Sequence, residues 1–308
     1  MPLTPHPAPA YDRVPRPLPP GLLADIVMQR GILLCLDYDG TLAEITFDPA
    51  KAWPVSGVRQ SIERIAGAPG HASVAIVTGR RNADIKRLLG IDTPILFSGL
   101  HSLEICEPDG QVHFAPEVEE CLPELRRVRD WLRQNVPYGH GFWIEDKGAV
   151  VALHCRGADS SEAAALCRGW AKFLSATTQR LKLVQLDLTV EAMPRAASKS
   201  RAITALKTVS PREFATIYCG DDLPDEEAFA ALSDDDFGIL VGPDRESCAR
   251  YQVGDPHALA RELSRLAAAL GQGGTDAQDR APSRCDAGVP EKNQCRSTQK
   301  PRLTRSRR

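Results

Sequence analysis

Ile32-Leu33-Leu34-Cys35-Leu36-Asp37-Tyr38-Asp39-Gly40-Thr41-Leu42 is the stretch on which the reading of this chain turns. Its first five residues are all apolar, the pattern of a strand buried on both faces of a parallel sheet. Two carboxylates follow, two residues apart, where the apolar run ends, and Gly40-Thr41 turns the chain. Residues i and i+2 of an extended chain share a face. Open α/β sheets bind their ligands beyond the carboxyl ends of the strands. Two like charges held so close call for a cation or a proton. The pair therefore points to a metal site, a nucleophile, or both. An ordinary strand ending in a solvated Asp-Gly turn is the competing reading, and further acids downstream weigh against it.

Outward from this stretch, strand and helix signals alternate. Short apolar runs ending in polar turns lie at Ser73–Val77, Pro94–Gly99, Ala215–Gly220 and Phe237–Val241. Helical patterns lie between them, at Val55–Ala66, Asn82–Leu89 and Ser200–Thr208. The alternation predicts an α/β fold with a doubly wound, mostly parallel, Rossmann-like sheet. It spans 29–107 and 195–270.

From 108 to 194 the pattern changes. Helical segments at Pro116–Asn135 and Ser160–Leu174 each precede strand-like text, Phe142–Arg156 and Leu181–Met193. In the latter, Leu186, Leu188 and Val190 alternate with Gln185, Asp187, Thr189 and Glu191, the period of a half-buried strand. This predicts a small α+β domain inserted into the larger one and covering the sheet edge where the acids sit.

Both ends read as unstructured. Residues 1–20 carry eight prolines, and 1–28 is expected to be an extended lead-in. The segment 271–308 carries nine Lys or Arg against four Asp or Glu and almost no large apolar residues, a solvated basic tail.

The chain has 308 residues, 43% hydrophobic and 25% charged, with net charge −2, which gives no overall signal for a nucleic-acid or membrane partner. It has nine cysteines and no Cys-x-x-Cys pair, which fits free thiols in a reducing compartment better than disulfides or zinc. No apolar stretch reaches membrane-spanning length and no signal-peptide core is present, so a cytoplasmic monomer acting on a small molecule is expected.

The fourth strand ends as the first does, in Gly220-Asp221-Asp222-Leu223-Pro224-Asp225-Glu226-Glu227. Acids at the ends of neighbouring parallel strands converge, and a hard cation such as Mg²⁺ is usually held by one or two carboxylates. Asp37 and Asp221 fit that job. Asp222 and Asp225 fit a role of orienting the ligands. Glu226 and Glu227 read as helix N-terminal acids. Thr78-Gly79-Arg80, at another strand-to-helix turn, offers a hydroxyl and main-chain N–H groups to an anion. Lys199 opens a helix between two acid-bearing strands, where a phosphate site needs a balancing cation.

Asp37-x-Asp39-Gly40-Thr41, Thr78, Lys199 and Gly220-Asp221-Asp222-x-x-Asp225 resemble, in order and spacing, the four motifs of the haloacid-dehalogenase (HAD) phosphohydrolases. The resemblance covers about 31–270 and implies a HAD core with an inserted C2-type cap. It implies that Asp37 is the nucleophile and Asp39 the general acid/base. It implies Mg²⁺ on Asp37, the Asp39 carbonyl and Asp221, with Thr78 and Lys199 on the phosphoryl oxygens.

Asp37–Ile45, Thr78-Gly79-Arg80, Gly99-Leu100-His101, Glu145-x-Lys147-Gly148, His154-x-Arg156 and Glu191-x-x-Pro194-Arg195 are similar to one family within it, the trehalose-6-phosphate phosphatases. That similarity implies trehalose 6-phosphate as substrate. It places Gly79, Arg80, His101, Glu145, Lys147 and Glu191 against it, with His154 and Arg156 in support. The chain departs from the family's usual pattern at Pro224 (commonly Thr), Ser200 and Ser102 (commonly Gly) and Cys155 (commonly Tyr). The competing expectations are a phosphatase for another sugar phosphate, such as a sucrose or glycosyl-phosphoglycerate ester, and a non-catalytic sugar-phosphate-binding domain.

Overall fold

The computed structural model describes residues 14–46, 48–137, 139–185 and 189–272. In chain order the elements are β1 (Arg16–Pro17), α1 (Leu22–Arg30), β2 (Ile32–Leu36), α2 (Val58–Ala66), β3 (Ala72–Val77), α3 (Asn82–Leu89), β4 (Leu96–Gly99), β5 (Glu104–Cys106) and β6 (Val112–Phe114). Then come α4 (Pro116–Asn135), β7 (Trp143–Asp146), β8 (Val151–His154), α5 (Ser160–Thr177), β9 (Leu181–Gln185) and β10 (Thr189–Pro194). The chain continues with α6 (Lys199–Val209), β11 (Ala215–Gly220), α7 (Leu223–Ala230), β12 (Phe237–Val241), β13 (Tyr251–Val253) and α8 (Pro256–Gln272).

Among the described residues two sheets form. The larger runs β1-β13-β12-β11-β2-β3-β4-β5-β6, parallel from β1 to β4, with β5 and β6 antiparallel at one edge. The smaller is antiparallel, in the order β7-β8-β10-β9.

β2 lies between β11 and β3, and all five of its residues are buried. Its side chains alternate into two apolar layers. Ile32, Leu34 and Leu36 pack with Ile62, Ile65, Leu259 and Leu263 on one face. Leu33 and Cys35 pack with Ile203, Leu206, Tyr218 and Phe229 on the other. Helices on both faces are why this strand reads as an unbroken apolar run. From β2 the chain moves outward to β3 on one side, while β11 and β12 lie on the other. The carboxyl end of β2 is therefore a switch point, where such sheets open a crevice.

The smaller sheet has its own core. Leu125, Val128 and Leu132 of α4 and Trp170 and Leu174 of α5 pack on Val151, Leu153 and Val190. A fourth apolar cluster, Leu100, Leu103, Ala149, Val150 and Met193, seats this unit on the loop that follows β4.

Several expectations need correction. Residues 16–28 are not an extended lead-in. Arg16–Pro17 adds an edge strand to β13, and Leu23, Ile26 and Val27 of α1 are buried in the core, so the segment buries enough apolar surface to be ordered. The lead-in over 1–13 and the tail over 273–308 lie outside the described residues. The large sheet continues past residue 108 to Phe114, because β6 pairs with β5. The expected strand over Leu181–Met193 is an antiparallel hairpin, with Val190 opposite Gln185. Leu186, Asp187 and Leu188 lie outside the described residues. The cysteines of the described residues are free, with Cys35 and Cys219 buried. Among the described residues no helix is long and apolar enough to cross a membrane.

Candidate active site

β2, β3 and β11 end together. Leu36 is level with Ile76 and Cys219, and the Asp37 N–H donates to the Cys219 carbonyl at 2.9 Å. Pleating sends Tyr38 the other way, where its hydroxyl donates to the Ala52 carbonyl at 2.8 Å. Asp37 and Asp39 are left facing one cleft of about 240 Å³. Gly40 turns there with φ of +75°, and a Cβ on it would lie 1.9 Å from Asp221 Oδ2. Only glycine lets the Asp221 carboxylate sit so close to the first strand's turn. Thr41 Oγ1 donates to Asp221 Oδ1 at 3.3 Å, a contact the motif's order does not reveal.

Asp225 organises the floor of the cleft. Its Oδ1 accepts from Lys199 Nζ at 2.6 Å and from the Tyr218 hydroxyl. Its Oδ2 accepts the N–H groups of Asp221 and Asp222 at 3.1 and 3.0 Å. Lys199, the first residue of α6, also reaches Asp37 Oδ1 at 2.8 Å. Asp222 is exposed and caps α7, completing a capping box with Asp225. Pro224 falls in the first turn of α7, where its missing N–H costs nothing.

Burial pushes the Asp37 carboxyl up to about 7, with Lys199 only partly offsetting it. Burial and the neighbouring Asp37 and Asp225 push Asp221 up to about 9. Burial works against the Lys199 ammonium, but Asp225 and Asp37 outweigh it and raise its pKa. Negative charge is thus in surplus here.

One oxygen each from Asp37, Asp221 and Asp225 lies within 4.8 Å of the others. These are hard oxygen donors of the kind Mg²⁺ takes. The Asp225 oxygens already accept four hydrogen bonds, which leaves Asp37 and Asp221 as the carboxylates suited to a cation. The Asp39 carboxylate is not part of this cluster. Arg80 grips it with Nε and Nη2, both at 2.6 Å, and donates from Nη1 to the Pro49 carbonyl at 2.7 Å. Thr78 is buried, its Oγ1 accepting the Arg80 N–H at 3.2 Å. A Cβ on Gly79 would come within 2.7 Å of His101 Nε2.

The opposite wall comes from the smaller sheet. Glu191 is only 2% exposed; its Oε1 accepts from Lys147 Nζ at 2.6 Å and its Oε2 lies 3.1 Å from His101 Nε2. Lys147 also reaches the Gly79 carbonyl at 3.4 Å. Burial alone would raise Glu191, but Lys147 and His101 hold it down to about 2. A hydrogen bond from His154 to Glu145 at 2.9 Å leads in holding Glu145 low. His154 Nδ1 in turn meets Thr189 Oγ1 at 3.0 Å, and Trp143 stacks on the His154 ring. Arg156 ties this wall to the core through the Thr46 carbonyl at 2.6 Å.

His101 reaches the wall from an unusual turn. Leu100, His101 and Ser102 have φ of 52°, 55° and 76°, a left-handed conformation that costs about 1–2 kcal/mol per non-glycine residue. Main-chain bonds to Arg80 and Thr78 hold it in place. This turn also explains why glycine is the easier residue at position 102.

All thirteen residues marked out from the sequence line this one cleft: Asp37, Asp39, Thr78, Gly79, Arg80 and His101 from the first half of the core, Glu145, Lys147 and Glu191 from the second sheet, and Lys199, Asp221, Asp222 and Asp225 from the second half of the core. The sequence reading does not capture Thr189, Thr46 or Pro49, which also line it. Glu226 does stand in the first turn of α7, as expected, but the sequence does not show that it is buried on Arg245, Ser247 and Cys248. No local pattern marks any of these; each depends on a partner distant in the chain.

The sequence pattern of the trehalose-phosphatase family matches residues 35–256. The chain is 30% identical to a trehalose-phosphate phosphatase of Mycobacterium marinum over 243 residues, 76% of this chain and 61% of that protein. It thus spans about three fifths of the length of that relative. Its fold matches the C-terminal domain of a trehalose-6-phosphate phosphatase of C. albicans, with TM-score 0.72 at 20% identity over 83% of this chain and 98% of that one. A crystal structure of a trehalose-6-phosphate phosphatase related protein matches with TM-score 0.63 at 25% identity, over 78% of this chain and 99% of that one. The architecture is that of the HAD phosphatases, an α/β core with a cap. With about seven tenths of its length under the family's pattern and the motif residues gathered in one cleft, this chain belongs to the trehalose-phosphatase family.

Proposed function

We propose that this chain hydrolyses trehalose 6-phosphate to trehalose and phosphate, using Mg²⁺ and an aspartyl-phosphate on Asp37. The observation that carries the reading is the floor of the cleft. A buried Asp37 beside Lys199 faces a second carboxylate, Asp221, with negative charge in surplus. Asp37 and Asp221, with the Asp39 carbonyl, would hold Mg²⁺, which when bound neutralises phosphoryl oxygen and relieves the repulsion between the two carboxylates.

Asp37 attacks phosphorus as the bond to the sugar oxygen breaks, and Asp39 supplies the proton that oxygen needs. Water then attacks the phosphorus of the acyl phosphate, giving its proton to Asp39, and phosphate leaves as the Asp37 carboxylate is restored. A carboxylate nucleophile divides one hard step into two, and the rest is positioning and charge neutralisation. Lys199 and Thr78 stand where they can bind phosphoryl oxygens. For Asp39 to carry a proton, an Arg80 bond to it must open, and incoming phosphate offers Arg80 another anion. Glu145 exchanges its bond to His154, and Lys147 and Glu191 their mutual bond, for sugar hydroxyls, which makes 115–194 the specificity-bearing cap. The free thiols support a reducing, cytoplasmic setting.

A panel of sugar phosphates assayed for phosphate release with Mg²⁺ tests the reading. Turnover of trehalose 6-phosphate well above the others is expected; preference for another sugar phosphate would overturn the substrate.

A further inference from the structure

We propose that Arg245 is a positioning residue for Asp221: its fork joins the buried Glu226 of α7 to the Asp221 main chain and so sets where the Asp221 carboxylate meets the cation. The inference rests on the metal-dependent reading above and adds a residue to it.

The carboxylate of Glu226 is nearly inaccessible, its residue 1% exposed. A buried carboxylate needs a charge partner and filled acceptor positions. Both come from the loop after β12. Arg245 Nη1 pairs with Oε1, while Oε2 accepts from Ser247 Oγ at 3.1 Å and from the Cys248 N–H at 2.8 Å. The second arm of the guanidinium does not stay in this pair. Nη2 donates to the Asp221 carbonyl at 3.1 Å.

Asp221 is thereby held on both sides of its Cα. Its N–H is fixed by Asp225 Oδ2 at 3.1 Å and its C=O by Arg245. With both flanking peptides pinned, the side chain starts from a set position, and Thr41 then engages its Oδ1. Partners behind a metal ligand typically contribute a factor of 10–100 in metal affinity. A planar fork can bridge a carboxylate and a carbonyl at once, which a lysine ammonium on a flexible stem does poorly. If the Glu226–Arg245 pair only stapled the loop to α7, its loss would lower the melting temperature and leave metal affinity alone.

Calorimetric titration of the full chain with Mg²⁺, free of substrate, separates these roles. Arg245→Met is expected to weaken Mg²⁺ binding by about tenfold or more, while KM for trehalose 6-phosphate at saturating Mg²⁺ stays within about twofold of wild type, because Arg245 is not among the residues that line the cleft. Wild-type Mg²⁺ affinity in folded Arg245→Met overturns the proposal. Should that variant fail to fold, Arg245→Lys decides. It keeps the charge against Glu226 and loses the fork, so weakened Mg²⁺ binding supports the proposal and wild-type affinity overturns it. A wild-type protein that binds Mg²⁺ yet releases no phosphate from any sugar phosphate would overturn the phosphatase reading and leave the Arg245 inference standing on the titration.

Discussion

The floor of the cleft and its wall are both built from buried and half-buried ionisable groups, and they are in opposite states. On the floor, three carboxylates face the Lys199 ammonium, and Asp37 and Asp221 are pushed upward. On the wall, Glu191 is matched by Lys147 and His101, Glu145 by His154, and both carboxyls are held low. The floor lacks positive charge and is suited to take up a cation. The wall is satisfied by itself and, on the proposed function, would give up bonds when a sugar enters. The proposed chemistry and the proposed selectivity are thus separated in space and in electrostatics.

The largest expected effect breaks the floor. Asp37→Asn should reduce phosphate release by more than about 10³-fold, as losing a nucleophile does, while the melting temperature without Mg²⁺ holds or rises because a repelled charge is gone. Turnover near wild type in that variant would remove Asp37 from the reaction.

Next is the pH dependence of stability. A carboxyl raised in the folded state keeps a proton that the unfolded chain releases near pH 4. Ionising Asp37 and Asp221 therefore costs folding free energy as pH climbs toward about 7 and about 9. In chelator, the melting temperature should fall between pH 5 and 8, and Mg²⁺ should restore more of it at pH 8 than at pH 5. Glu191 is shifted the other way, to about 2, so its contribution is complete above pH 5 and lost only in acid. An equal Mg²⁺ effect at both pH values would contradict the floor's surplus of negative charge.

The wall is probed by Glu191→Ala. Leaving Lys147 without its partner should cost about 3 kcal/mol of stability, read by denaturant titration. The variant should lose trehalose 6-phosphate turnover far more than p-nitrophenyl phosphate turnover. Parallel losses on the two substrates would mean that Glu191 only holds the wall together.

The smallest effect sharpens the junction between the two regions. Ser102→Gly relieves a positive φ and removes a buried hydroxyl without a partner, and should stabilise the protein by about 1 kcal/mol. A loss of stability would show the turn to be held by the serine itself.

The floor was more legible in the sequence than the wall. Asp37 and Asp39 sit in a continuous run whose apolar strand, paired acids and glycine each constrain the next residue. Asp221 and Asp225 repeat that logic at β11. The wall residues are separated by turns and strand pairings, and the period-two signal near Leu186–Glu191 concealed a hairpin whose second strand buries Glu191. The ordered segment at Arg16–Pro17 was hidden for a related reason: prolines read as loop, while pairing at a sheet edge tolerates them.

By itself the sequence determined the doubly covered central strand, the acids at its end and the order of the motifs, because burial, periodicity and turn chemistry act over a few neighbouring residues. Tertiary structure alone decided that Arg80 holds Asp39, that Asp225 spends its oxygens on Lys199, Tyr218 and two amides, and that Arg245 reaches back to Asp221. Those pairings join groups far apart in the chain, and a charged side chain carries no local mark of the partner that will neutralise it.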